Sequence, residues 1–249
     1  DAEIKTQERV IRFFKDPEIL GYQYIGNLSD YQNKNINEDR LRQYLRLKGY
    51  ADKLIDAAVM QLQQEAGNLS RGVYDANKTV YSRLKYGIPV SESPEKPPVT
   101  VELIDEANPL NNDFAVAEEV TVVEQQEKRP DLVIYLNGIA VAVIELKRSS
   151  ISVSEGIRQN LTNQKDSFIR GFFTTMQFCM AGNESEGLRY GTLLTGEKFY
   201  MEWKDDGFKE HEEERDPVDV RISKTCEGID NKLLKQIYAM FDKERFIDL

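Results

Sequence analysis

The segment Arg129-Pro130-Asp131-Leu132-Val133-Ile134-Tyr135-Leu136-Asn137-Gly138-Ile139-Ala140-Val141-Ala142-Val143-Ile144-Glu145-Leu146-Lys147 decides the fold. Two apolar runs flank Asn137-Gly138, the dipeptide that most strongly favours a tight hairpin turn. Both runs are almost free of polar residues, so both strands are predicted to be buried on two faces, as in the middle of a layered sheet. Three charged groups stand at the open end of this hairpin. Charges at the border of a buried strand are costly unless they are solvated, paired or bound to a metal. Glu145 and Lys147 are two apart and leave the same face of their strand.

Register decides whether Asp131 joins them. A two-residue turn with a regular ladder pairs Leu136 with Ile139 and sets Asp131 opposite Ile144, leaving Glu145 on the other face. One extra residue in the second strand sets Asp131 opposite Glu145. A three-residue turn with a G1-type bulge would supply it, as would an equivalent bulge further along. That one-residue correction is predicted, because only it gathers Asp131, Glu145 and Lys147.

Outward from the hairpin, the pattern alternates between helix and strand. Val10, Ile11 and Phe14 have helical spacing, and Gly21–Ile25 reads as a short strand. Asn35 or Asn37 caps a helix over 38–47, and 51–65 repeats the helical pattern. The proline-rich stretch 89–98 interrupts it. Residues 114–123 read as one long strand, Ser154 as the cap of a helix to about Gln164, and 175–181, 188–194 and 198–203 as three more strands. A helix over 231–241 follows. This order predicts an α/β (α+β) fold: a mixed sheet flanked by helices, with a helical insertion at about 36–85 and the central motif within 114–165. One domain over 1–249 is expected.

Composition narrows the class of partner. Among 249 residues there are 43 acidic and 33 basic side chains, giving a net charge of −10. That argues against a simple nucleic-acid binder, although a metal-dependent nuclease also concentrates carboxylates. The run Glu210-His211-Glu212-Glu213-Glu214 reads as a solvated loop, and its histidine is the only one in the chain, which excludes a histidine-rich metal site. Cys179 and Cys226 are the two cysteines and do not form a Cys-x-x-Cys pair. No signal segment or spanning apolar run is present, so a cytoplasmic protein without membrane contact is expected. Trp203 and Tyr200 read as packing residues of an edge strand.

Two carboxylates brought together repel and raise each other's pKa unless a divalent cation neutralises them. Carboxylate and backbone carbonyl oxygens suit Mg²⁺, with Mn²⁺ able to substitute. Such an ion activates water for attack on phosphorus, and an adjacent ammonium stabilises phosphoryl charge, a part that fits Lys147. Metal-dependent phosphodiester hydrolysis is therefore the chemistry expected of Asp131, Glu145 and Lys147.

The Pro-Asp…Glu-x-Lys arrangement resembles the PD-(D/E)xK nuclease superfamily. The surrounding sequence resembles the N-terminal domain of the R (motor) subunit of type I restriction enzymes. The features that carry the likeness are Glu8 before Gly21-Tyr22, Asp131 to Gly138, Val143 to Lys147, Ile157-Arg158-Gln159 and Gly187 to Thr192. The resemblance implies a restriction-endonuclease-like core that cuts double-stranded DNA with Mg²⁺ bound by Asp131 and Glu145, and Glu8 completing the acidic cluster. It implies Gln159 as a further catalytic residue, while Asn163 occupies the usual tyrosine position of a Gln-x-x-x-Tyr pattern. It also implies methyltransferase and specificity subunits as partners. No Gly-x-x-x-x-Gly-Lys-Ser/Thr segment occurs, so the ATP-dependent translocase domains are expected to lie outside this chain. The rival expectation is a non-catalytic DNA-binding or complex-assembly module on a nuclease-like fold.

Overall fold

The computed structural model describes residues 2–209 and 212–249, so Glu210 and His211 of the acidic run lie outside the described residues. Chain order is α1 (Ala2–Lys15), β1 (Gln23–Asn27), α2 (Glu38–Leu47), α3 (Asp52–Gly67), α4 (Val73–Tyr86), β2 (Ile88–Val90) and β3 (Val99–Val101). Then come β4 (Phe114–Glu118), β5 (Val122–Val123), β6 (Glu127–Lys128), β7 (Leu132–Leu136), β8 (Ile139–Leu146), α5 (Val153–Asn163), β9 (Phe178–Asn183), β10 (Gly187–Gly191) and β11 (Met201–Glu202). Helices α6 (Pro217–Glu227), α7 (Lys232–Phe241) and α8 (Lys243–Asp248) follow.

Seven strands form one mixed sheet in the order β1-β4-β7-β8-β9-β10-β11. β1/β4 and β8/β9 run parallel, and the other neighbours run antiparallel. The α/β class expected from the sequence is the class observed. Strands β7 and β8 are buried at every position, which is why their residues are apolar on both faces. Phe14, Leu41, Leu45, Leu62 and Phe241 join the core on one face, with Leu132, Ile134 and Ile144. Val133, Tyr135, Val143, Phe172 and Phe173 build the opposite face.

Several local expectations shift. The stretch 114–123 is not one strand, because Glu119 takes a positive φ of 51° and ends β4. The cap of α5 is Ser152 rather than Ser154, its hydroxyl accepting the Ser154 amide at 3.3 Å. Of the two candidate caps for α2, Asn37 does it, accepting the Arg40 amide at 3.2 Å. The proline-rich stretch joins two short strands, β2 and β3, that pair with each other. The edge strand expected at 198–203 shrinks to Met201–Glu202, with Tyr200 and Trp203 just outside it. Both cysteines are free and buried. Among the described residues no helix is long and apolar enough to cross a membrane.

Candidate active site

The β7–β8 turn is a tight two-residue one, with Asn137 at φ 52° and Gly138 at φ 82°. Asn137 is buried, and its amide donates to the Leu103 carbonyl and Asn112 Oδ1 at 2.8 Å each, while its own Oδ1 accepts the Asp113 amide at 2.7 Å. Gly138 lies against the start of α2, where a Cβ would stand 2.5 Å from the Asn37 carbonyl oxygen.

From this turn Leu136 pairs with Ile139 and Tyr135 with Ala140, but Ile134 then pairs with Ala142. Val141 is the extra residue. Val141 and Ala142 consequently pack into the same core face, and the alternation downstream is inverted. Val133 and Val143, and Leu132 and Ile144, face each other. Continued by one pair, this register sets Asp131 opposite Glu145. The correction predicted from the sequence thus comes from a bulge inside β8, not from a longer turn.

Asp131 is half-buried, and its Oδ2 accepts the Leu146 amide at 2.7 Å. Glu145 is fully buried. Its Oε2 accepts a 2.7 Å bond from Gln159 Nε2 on α5, whereas its Oε1 meets no hydrogen-bond donor among the described residues. Helix α5 reaches this close because Gly156 faces the sheet, where a Cβ would lie 2.9 Å from the Ala181 Cβ and 3.4 Å from the Glu145 Cβ. Lys147 is anchored by its backbone amide on the Gly182 carbonyl at 2.9 Å. Its ammonium lies 3.4 Å from Glu3 Oε1 at the start of α1, so its ion pair is with Glu3.

Electrostatics follow from this burial. Desolvation pushes the Asp131 carboxyl up, against the Leu146 amide and the Lys147 ammonium, and Glu119 and Glu3 push the same way as burial. Glu145 is pushed well up by burial first and by the Asp131 charge second, with Lys147 opposing. Two acids are held together where only one readily ionises without a counter-charge.

Not every residue singled out from the sequence converges here. Asp131, Glu145 and Gln159 are brought together and Lys147 borders them. Glu8 is exposed and lines an adjoining hollow with Gln7, Glu118, Glu119 and Arg129. The α1 acid beside Lys147 is instead Glu3, one helical turn before Gln7. Gln7 donates to Glu118 and Glu119 at 3.1 and 3.0 Å, and Arg129 pairs with Glu119 at 2.8 Å. Sequence reasoning missed Glu3 and Glu119. Glu3 shares the i, i+4 row of Gln7, whose burial only the docking of α1 reveals; Glu119 sits in a stretch that reads as plain strand. Asn163, at the expected tyrosine position, is buried.

Among the described residues no group of three or more His, Cys, Asp or Glu side chains converges to enclose a metal. The fit to a divalent ion rests on two carboxylates, one of them carrying a buried, donorless oxygen. A pair suffices for a hard cation that keeps several of its waters.

Comparison with known families adds an independent line. The model of the family described as type I restriction enzyme R protein N terminus matches residues 3–199. This chain belongs to that family. The part matched to the R protein N terminus runs from Glu3 through Phe199, so it includes the β7–β8 hairpin, Gln159 and both α1 acids, Glu3 and Glu8, while α6 to α8 lie beyond it. A Methanocaldococcus jannaschii protein that carries the name of a type I restriction enzyme MjaIXP endonuclease subunit is 34% identical over 97 residues, or 36% of this chain. The match covers 9% of that relative's length. For the R protein N terminus described here, membership supports a role in a restriction endonuclease subunit.

Proposed function

We propose that this R protein N terminus is a Mg²⁺-dependent nuclease domain that hydrolyses phosphodiester bonds in double-stranded DNA. The observation that carries the reading is the pairing of half-buried Asp131 with buried Glu145, whose Oε1 lacks a donor among the described residues although it is removed from water. An unsatisfied buried carboxylate oxygen beside a second carboxylate costs stability and is retained where a cation completes it.

Asp131 and Glu145 would hold the ion, and each is already restrained, Asp131 by the Leu146 amide and Glu145 by Gln159. Such restraint fixes the direction of the acceptor oxygens before binding. When bound, Mg²⁺ lowers the pKa of a coordinated water and neutralises charge on the phosphoryl oxygens. Lys147 keeps its ammonium at the mouth of the site, 14% exposed, where it can steady negative charge on the phosphate or the leaving oxygen. Gln159 acts through Glu145, as a positioning residue. Glu8, on the adjoining hollow, is assigned to the approach to the site. The whole restriction enzyme would bring methyltransferase and specificity subunits to the DNA, with ATP used by motor domains elsewhere.

The test is supercoiled-plasmid nicking in Mg²⁺ by the assembled restriction complex, wild type against Lys147→Ala. The variant is expected to lose at least 100-fold in nicking rate while the complex still assembles. Equal rates would remove Lys147 from the mechanism, and a wild-type complex that does not nick in Mg²⁺ would overturn the hydrolytic reading.

A further inference from the structure

Helix α4 is built with two different faces. Val73, Ala76, Val80 and Leu84 are buried, and the Asn77 amide donates to the Phe173, Thr174 and Met176 carbonyls at 3.2, 3.2 and 2.7 Å, locking that face to the domain. The outer face carries Tyr74, Lys78, Tyr81 and Lys85, which recur every three or four residues and so form one row. Tyr74 and Tyr81 are 59% and 52% exposed, a large aromatic surface to leave in water. Arg71 in the preceding turn extends the row, and no carboxylate lies within ion-pair distance of Arg71 or Lys78 among the described residues. Lys85 pairs with Glu106 at 3.0 Å, with both side chains half exposed. A hollow of about 320 Å³ opens beside the row, lined by Glu65, Asn68, Arg71, Asp75, Lys78 and Thr79, two cations and two carboxylates among them. Glu65 is already held by Arg83 at 2.7 Å.

We propose that this outer face of α4 is a docking surface for the phosphate backbone of duplex DNA, separate from the carboxylate pair. Arg71 and Lys78 supply the charge, and the tyrosine hydroxyls donate to phosphate oxygens, the side-chain types that make sequence-independent backbone contacts. The charge complementarity is local: the chain as a whole is acidic, but this row presents cations with tyrosines between them. The inference rests on DNA being the substrate and deepens that reading by naming where the duplex is held.

Fluorescence anisotropy of a labelled 30-bp duplex, measured in EDTA with the full chain, tests it. Arg71→Glu/Lys78→Glu is expected to raise Kd at least 10-fold and to flatten the salt dependence by about two phosphate contacts, since each contributes a slope near 0.9. Tyr74→Phe/Tyr81→Phe is expected to weaken binding with an unchanged salt slope. All four positions are on the exposed face, and an unchanged melting temperature checks that the fold is retained. Unaltered affinity and slope in the charge-reversal variant would overturn the surface, as would capture of an acidic peptide in preference to DNA. Nicking by the assembled wild-type complex, measured beside the anisotropy, separates the two readings. Unaltered duplex binding by the charge-reversal variant, with a wild type that nicks, sinks the α4 surface alone. A wild type that binds through α4 without nicking in Mg²⁺ sinks the hydrolytic reading alone.

Discussion

Gln159 donates a 2.7 Å hydrogen bond to one oxygen of Glu145, while the other oxygen of the same buried carboxylate has no donor among the described residues. One half of the group is satisfied by the protein, and on the proposed reading the other half takes the divalent ion. That asymmetry ties the α5 packing, made possible by Gly156, to the chemistry expected of the site.

Removing the donor should therefore hurt twice. Gln159→Ala leaves both Glu145 oxygens without a partner in a buried setting, and a cost of about 1–3 kcal/mol in unfolding free energy is expected, read by urea denaturation. Loss of an orienting contact should also weaken the divalent ion or activity by about 10- to 100-fold, read by Mn²⁺ titration calorimetry. A variant with full metal affinity would show that the bond is only structural.

Glu145→Gln should stabilise the metal-free protein. Both carboxyls have folded-state pKa values raised above the unfolded value near 4, so the ionised pair opposes folding. The sign follows: in EDTA, wild-type stability rises as pH falls from neutral through those raised values and levels off near pH ~4. Glu145→Gln should flatten that rise and melt higher than wild type at neutral pH. It should also lose the Mn²⁺-induced increase in melting temperature expected of the wild type. A lower melting temperature in EDTA would contradict the repulsion argument.

Gly138→Ala tests the turn. Its φ of 82° disfavours a side chain, and a Cβ would approach the Asn37 carbonyl oxygen to 2.5 Å and the Leu41 nitrogen to 2.6 Å, both backbone atoms. A loss of about 2–4 kcal/mol is expected from backbone strain and overpacking. Chemical denaturation measures it, and a change below about 1 kcal/mol would mean that α2 does not press on the turn.

A second pH dependence belongs to Asp105, which is 4% exposed, pairs with Lys48 at 2.8 Å and has its carboxyl pulled down to about 2, chiefly by that lysine. A depressed value stabilises above the unfolded pKa of ~3.9, and the gain is lost as pH falls toward 2. Asp105→Asn is expected to cost about 1–3 kcal/mol at pH 7, the range for bonds to charged groups. The gap from wild type should shrink between pH 4 and 2 in denaturation experiments.

Much of the fold was legible from local chemistry. Asn137-Gly138 marked the turn, Asn35 or Asn37 and Asn231 marked helix starts, and the unbroken apolar runs marked the two central strands. Less visible were α4, α6 and α8, whose apolar positions are fewer and interleaved with polar ones. Glu119 was also hidden: nothing in its neighbours distinguishes a residue at φ 51° from one in an ordinary strand. In the site, Asp131, Glu145 and Lys147 were named by their charges and spacing, and Gln159 only by the family resemblance. Glu3 was passed over in favour of Glu8, because which row of α1 meets the sheet depends on how the helix docks.

Sequence alone settled which residues are charged, where the chain turns and that β7 and β8 are buried on both sides. It did not settle which face Glu145 occupies. A strand of Val, Ile and Ala that is buried on both faces shows no alternation, so a one-residue slip changes nothing in its pattern. Tertiary packing made that choice, by holding the tight turn against α2 and placing Val141 and Ala142 together in one core face. The bulge that results sets Glu145 opposite Asp131.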